Sequence, residues 1–113
     1  MKIVNIKTLH PKQGEKPNVE LLLNTGTLKE IQISFTKGQK MAEHTAPGAI
    51  VVMVYKGVIE FGVGETTHLL TEGDMISLEA NVPHDLLAKE DSIVRLTLSP
   101  KDDFNRVKML ANN

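Results

Sequence analysis

Cysteine is absent from the chain. There is therefore no disulfide framework, no thiolate metal site and no thiol nucleophile. An excess of charge of one sign is also missing, since 13 Lys and Arg stand against 14 Asp and Glu, a formal net charge of −1. No basic block gathers, which argues against a nucleic-acid partner, because neutralising phosphates needs clustered Lys and Arg. Long hydrophobic runs are lacking too. The longest, Ala49–Tyr55, falls far short of the roughly 20 residues of a membrane helix, so no membrane insertion is expected. Met1–Lys16 mixes Lys, Asn, His and Pro with its Ile and Val and contains no unbroken apolar stretch of a secretion signal, so a cytoplasmic protein is expected.

What is present is apolar and stiff. The 113 residues suit a single domain. Leu, Ile, Val and Phe number 34, about 30% of the chain, too many for a disordered polypeptide. Val, Ile and Thr number 27 and favour pleated structure. The apolar segments are short: Lys2–Leu9, Val19–Asn24, Leu28–Phe35, Lys40–Thr45, Ala49–Lys56, Val58–Val63, Thr66–Thr71, Met75–Leu78, His84–Ala88 and Ser92–Ser99. Turn formers such as Asn24–Thr25–Gly26, Pro47–Gly48 and Glu72–Gly73 separate them. About ten short strands at this spacing predict an all-β sandwich or small barrel.

Two strands say more. Ile31, Ile33 and Phe35 alternate with Gln32 and Ser34, so one face is buried and the other is polar or lines a cavity. Ile50–Tyr55 does not alternate, which implies burial on both faces. A barrel interior covers one of them, and a second subunit is the simplest cover for the other, so a homodimer is expected. Val51, Met53 and Tyr55 are the set expected nearer that interface or the N-terminal strands. At the C-terminus, Ser99 as N-cap, Pro100 at the first helical position and Phe104, Val107 and Leu110 on one face predict a helix over Pro100–Leu110. The alternative is a frayed tail.

Gly38, His44 and Gly57 are spaced as in the first motif of the cupin superfamily, which reads Gly, five residues, His-x-His, three or four residues, Glu, six residues, Gly. Gly73 and His84 match the second motif, and the fifteen residues Val58–Glu72 separate the two. The chain thus resembles a small cupin over about Leu28–Ser99, with motifs at 38–57 and 73–88. The resemblance implies one domain over residues 1–113, a jelly-roll barrel of two antiparallel sheets and a pocket around His44, Ala46, Ile50 and His84. Metal-binding cupins are similar in drawing two His and one Glu from the first motif and one His from the second. Here the second His is Ala46 and the Glu is Ile50, and neither can ligate a cation. The second motif also departs, with Glu79, Asn81 and Ala88 in place of Pro, Gly and Asn.

With Ala46 and Ile50 in the pocket, the metal site reads as degenerate. His44 and His84 alone, with waters, hold a divalent metal weakly, and no cofactor is expected. His68 shares the parity of Leu70, His10 lies near the N-terminus, Glu43 points away from His44 on a regular strand, and Glu79 sits in the loop before His84. Ser34, Ser77, Ser92 and Ser99 form no triad or nucleophile elbow, and Gly62–Gly64 reads as a hairpin turn rather than a phosphate loop. Two functions follow from different classes. One is a non-catalytic or metal-independent module that binds or senses a small metabolite or sugar. The other is a metal-dependent dioxygenase or isomerase with an unidentified further ligand, or an acid/base catalyst using a histidine without metal. The Ala46 and Ile50 pair favours binding.

Overall fold

The computed structural model describes residues 1–9 and 12–112. His10 lies outside the described residues. Among the described residues nine strands are followed by one helix: β1 (Asn18–Asn24), β2 (Lys29–Phe35), β3 (Lys40–His44), β4 (Ile50–Lys56), β5 (Val58–Val63), β6 (Thr66–Thr71), β7 (Met75–Leu78), β8 (His84–Ala88), β9 (Ser92–Leu98) and α1 (Phe104–Ala111). They form two antiparallel sheets of strand order β1-β2-β9-β4-β7 and β3-β8-β5-β6. The all-β jelly roll is the architecture implied by the two glycine–histidine motifs, and the short C-terminal helix is the element the spacing of Phe104, Val107 and Leu110 predicts.

The core lies between the sheets. Ile31, Ile33, Phe35, Val52, Val54, Val94 and Leu96 come from one sheet, and Met41, Ile59, Phe61, Leu70 and Leu86 from the other. Each side chain of this size contributes roughly 1.5–3 kcal/mol on full burial. In β4, Ile50, Val52 and Val54 are buried while Val51, Met53 and Tyr55 are only half-buried. The second face of that strand is therefore less covered than an unbroken apolar run predicts. In β2 the departure is opposite: Gln32 and Ser34, the polar set, are themselves buried. Gln32 pairs across the ladder with Arg95, and Gln13 from the N-terminal segment lies beside Ser34.

Gly57 shows why a motif glycine is required. Its φ is +91°, and a Cβ there would collide with the Asp91 carbonyl and the Ser92 backbone where β9 begins. Ser92 Oγ accepts the Val58 N–H at 3.0 Å and so ties this turn to the start of β5. Asn81 stands where the second motif has its glycine after Pro-x, and has φ +66°. Asn is the side chain that best tolerates that region after glycine, so this departure preserves the turn.

Two expected elements differ. Lys2–Leu9 is not a strand. Asn5 Oδ1 accepts the Lys7 N–H and Asn5 O accepts from both Thr8 N–H and Thr8 Oγ, so local turn bonds replace a ladder. The helix starts at Phe104, not Pro100. Its N-cap is Asp103, whose carboxylate accepts the Asn105 N–H at 2.9 Å, whereas Ser99 Oγ is buried without a partner. Asp102 precedes the helix and accepts from Arg106.

Candidate functional site

His44 ends β3 and His84 begins β8, and the two are register partners across that ladder. One extra residue sits in β3 between Met41 and His44, because three steps there answer two steps from Leu86 to His84. That bulge brings Met41 and His44, an odd number of residues apart, to one cavity together with His84 and Leu86. The imidazole centroids are 4.2 Å apart and the rings are inclined at 63°. Phe61 stacks on His84 at 5.6 Å, with 10° between the planes.

The hydrogen bonds set the tautomers. His44 Nδ1 lies 2.7 Å from Ala42 O, and His84 Nδ1 lies 2.8 Å from Val82 O. A carbonyl oxygen only accepts, so each Nδ1 carries the proton and donates it. Each Nε2 of the neutral ring is then left with a lone pair. Burial lowers the pKa of both rings below the ordinary 6.5, and the positive charge of Arg106 pushes the same way. For His44 the neighbouring His84 lowers it further, while the bond to Ala42 and the charge of Asp85 oppose the shift. Both imidazoles are neutral acceptors near neutral pH.

The cavity around them has a volume of about 20 Å³, room for one water-sized group. Its walls are apolar: Ile33, Met41, Ile50, Val52, Leu86, Val94 and Leu96 from the strands, with Val107 and Leu110 from α1. The third polar side chain is Arg106, also on α1. Its Nε and Nη2 donate to the two oxygens of Asp102, each at 2.7 Å, and Nη1 donates to Thr45 O at 3.1 Å. Nothing in the strand pattern pointed to Arg106. The usable signal was the Asp102–Arg106 spacing of four residues on a predicted helix.

Ile50 lines the cavity, but Ala46 does not. Ala46 is buried in the connection between β3 and β4, where strand alternation no longer applies, and its carbonyl accepts the Asn81 N–H at 2.8 Å. Glu43, Glu79 and His68 are exposed and take no part in the cavity wall. Glu79 borders a separate groove with Leu78, Ser99 and Pro100.

A family model for the cupin domain matches residues 32–99. The chain belongs to the cupin domain family. Solved cupin structures have the same fold. An RmlC-like cupin from Desulfovibrio desulfuricans superposes with a TM-score of 0.79 at 23% identity, over 88% of this chain and 97% of that one. KdgF from a Halomonas species superposes with a TM-score of 0.76 at 20% identity, over 88% and 94%. A conserved protein of unknown function from Streptococcus pyogenes gives 0.73 at 25% identity, over 87% and 86%. No curated protein matches the chain significantly.

Cupins commonly hold a divalent metal in this position, and the residues present do not fit a tight one. Among the described residues no three His, Cys, Asp or Glu side chains converge. The cavity offers two Nε2 atoms and no carboxylate, and Ile50 puts hydrocarbon into its wall. Two imidazoles fall short of the three or four protein ligands of a tight divalent site.

The lowered histidine pKa values make stability depend on pH. Unfolded chains bind a proton at each of these two histidines near the ordinary value, whereas the folded chain resists it. Stability is therefore fully present above about 6.5 and falls as pH drops from there towards the folded values. Urea unfolding at pH about 7.5 and about 5.5 checks this: the midpoint is lower at the acid value, and replacing His44 and His84 together by Gln shrinks the difference.

Proposed function

We propose that this cupin is a non-catalytic module that binds a small molecule, seated on His44 and His84 without metal. The observation that carries the reading is the donor–acceptor character of the cavity. Two neutral imidazoles present Nε2 lone pairs inside hydrocarbon walls, which suits a largely apolar molecule with a hydroxyl or amine group that donates to them. An anionic group meets no donor on those two rings. A sugar-sized ligand exceeds the about 20 Å³ of the closed cavity and enters only if a wall moves.

Thermal unfolding with a panel of small alcohols, phenols and amines tests the reading. A compound that raises the Tm of the natural protein by a few degrees, but no longer does so in His44→Ala or His84→Ala, supports it. Compounds that bind both variants unchanged overturn it.

The cupin family also contains enzymes, and a metal-dependent reaction at His44 and His84 is the competing reading. It requires a third ligand, which no described residue at the cavity supplies. Elemental analysis after dialysis against a chelator separates the two. The binding reading expects well under one equivalent of Fe, Mn, Ni or Zn per chain.

We further propose that two copies pair through the outer face of the larger sheet. Val51, Met53 and Tyr55 are half-buried there beside Ile93, and the charge of Arg95 on the same face is met by Glu30 at 3.4 Å. Such a face is better satisfied against a second copy than against water. Light scattering at micromolar concentration is expected to give a dimer mass, and Met53→Lys to give a monomer.

A further inference from the structure

The cavity has walls of two kinds. β2, β3, β4, β8 and β9 are locked into hydrogen-bonded ladders. The remaining wall is α1, which contributes Arg106, Val107 and Leu110. Among the described residues no backbone hydrogen bond joins α1 to a strand. It is held by burial of Val107 and Ala111, by Lys16 Nζ on the Asn112 carbonyl at 2.6 Å, and by a clasp at its start. That clasp is the fork of Arg106 on Asp102 with the third bond from Arg106 to Thr45 O. The Asp102 side chain is wholly buried, and Lys29 Nζ donates to its carbonyl at 3.0 Å, fixing the Asp102 end to β2.

α1 has eight residues, too few to stay helical in water once undocked, because isolated helices shorter than about 12–15 residues are marginal. Undocking and unwinding are thus one event. It takes away the wall that Arg106, Val107 and Leu110 share with His84, which is 3% exposed in the docked form, and with the half-buried His44.

We propose that α1 is a lid over the His44–His84 cavity, latched by the Asp102–Arg106 clasp, and that ligand enters when the latch releases. This rests on the reading of the cavity as a binding pocket, and it supplies the movement that such a pocket needs. Of the cavity's walls, α1 is the one that moves without breaking a sheet. The arrangement also brings the cavity's one permanent charge in on the moving part. Arg106 has five N–H groups, three of them committed to Asp102 and Thr45 O. The other two are free of those partners, and Arg106 lines the cavity only while the lid is shut.

Two measurements on the full chain test the lid without any ligand. The first is native-state hydrogen exchange. The amides of Val107–Leu110 are expected to open at least about tenfold more often than those of Val94–Leu96 in β9, through a local event insensitive to low urea. The second is modification of His84 by diethyl pyrocarbonate, with the exposed His68 as internal reference. Asp102→Asn is expected to speed both α1 exchange and His84 modification about fivefold or more while β9 exchange holds. Should that variant fail to fold, Arg106→Lys, which keeps the charge but loses the fork, takes its place. Exchange of α1 only together with β9, or faster α1 exchange with His84 still protected, overturns the lid. A compound that binds through His84 while α1 keeps core-level protection removes the lid and leaves the pocket. Frequent α1 opening with no compound bound keeps the lid and removes the pocket.

Discussion

Two carbonyl oxygens, those of Ala42 and Val82, govern the chemistry of this molecule. Each lies two residues before a histidine and can only accept a hydrogen bond, so each fixes the ring proton on Nδ1. Everything polar about the cavity floor follows. The Nε2 atoms become a pair of acceptors, and burial together with the charge of Arg106 keeps them from gaining a second proton. In a cupin with a full ligand set the same tautomer serves a metal. Here Ile50 puts hydrocarbon in the wall, Ala46 is buried without lining the cavity, and the same lone pairs are left to hydrogen-bond donors.

The barrel was legible in the sequence because its signals are local. Positive-φ glycines at Gly38, Gly57 and Gly73 mark turns that other residues resist, and short β-branched runs between turn formers mark strands. The His44–His84 juxtaposition was legible only through motif spacing, since forty residues separate the two and no periodicity links them. Where competing local bonds decide, the pattern misled. Asn5 turns the N-terminal segment that reads as a strand, and Asp103 takes the cap that Ser99 and Pro100 advertise. The motif resemblance puts Ala46 in the pocket, but the residue lies past the end of β3, in the connection to β4, and does not line the cavity. The burial of Gln32 and Ser34 has no signal in the alternation of β2, and the N-terminal segment beside Ser34 carries no strand pattern that would announce a cover.

The C-terminal helix changes what kind of object the barrel is. Arg106, Val107 and Leu110 of α1 bound the cavity on the side the strands leave free. The site's size and its one cation therefore depend on an element outside both sheets. Asp102 couples these properties to the chain just before the helix, since its carboxylate holds Arg106 and its carbonyl receives Lys29 from β2.

The bulge in β3 decides which changes of this strand the pocket tolerates. Because one residue is in excess between Met41 and His44, the two side chains share a face although their spacing is odd. On a regular strand of the present length Met41 and His44 would face opposite sides of the sheet, and either the ring would leave the cavity or the methionine would leave the core. Loss of one residue from Ala42 and Glu43 would instead leave the two positions two apart and still on one face, matching the two steps from Leu86 to His84. The pocket therefore survives a shortened strand but not a straightened one, so it is the local backbone conformation of this stretch that holds the histidine in place.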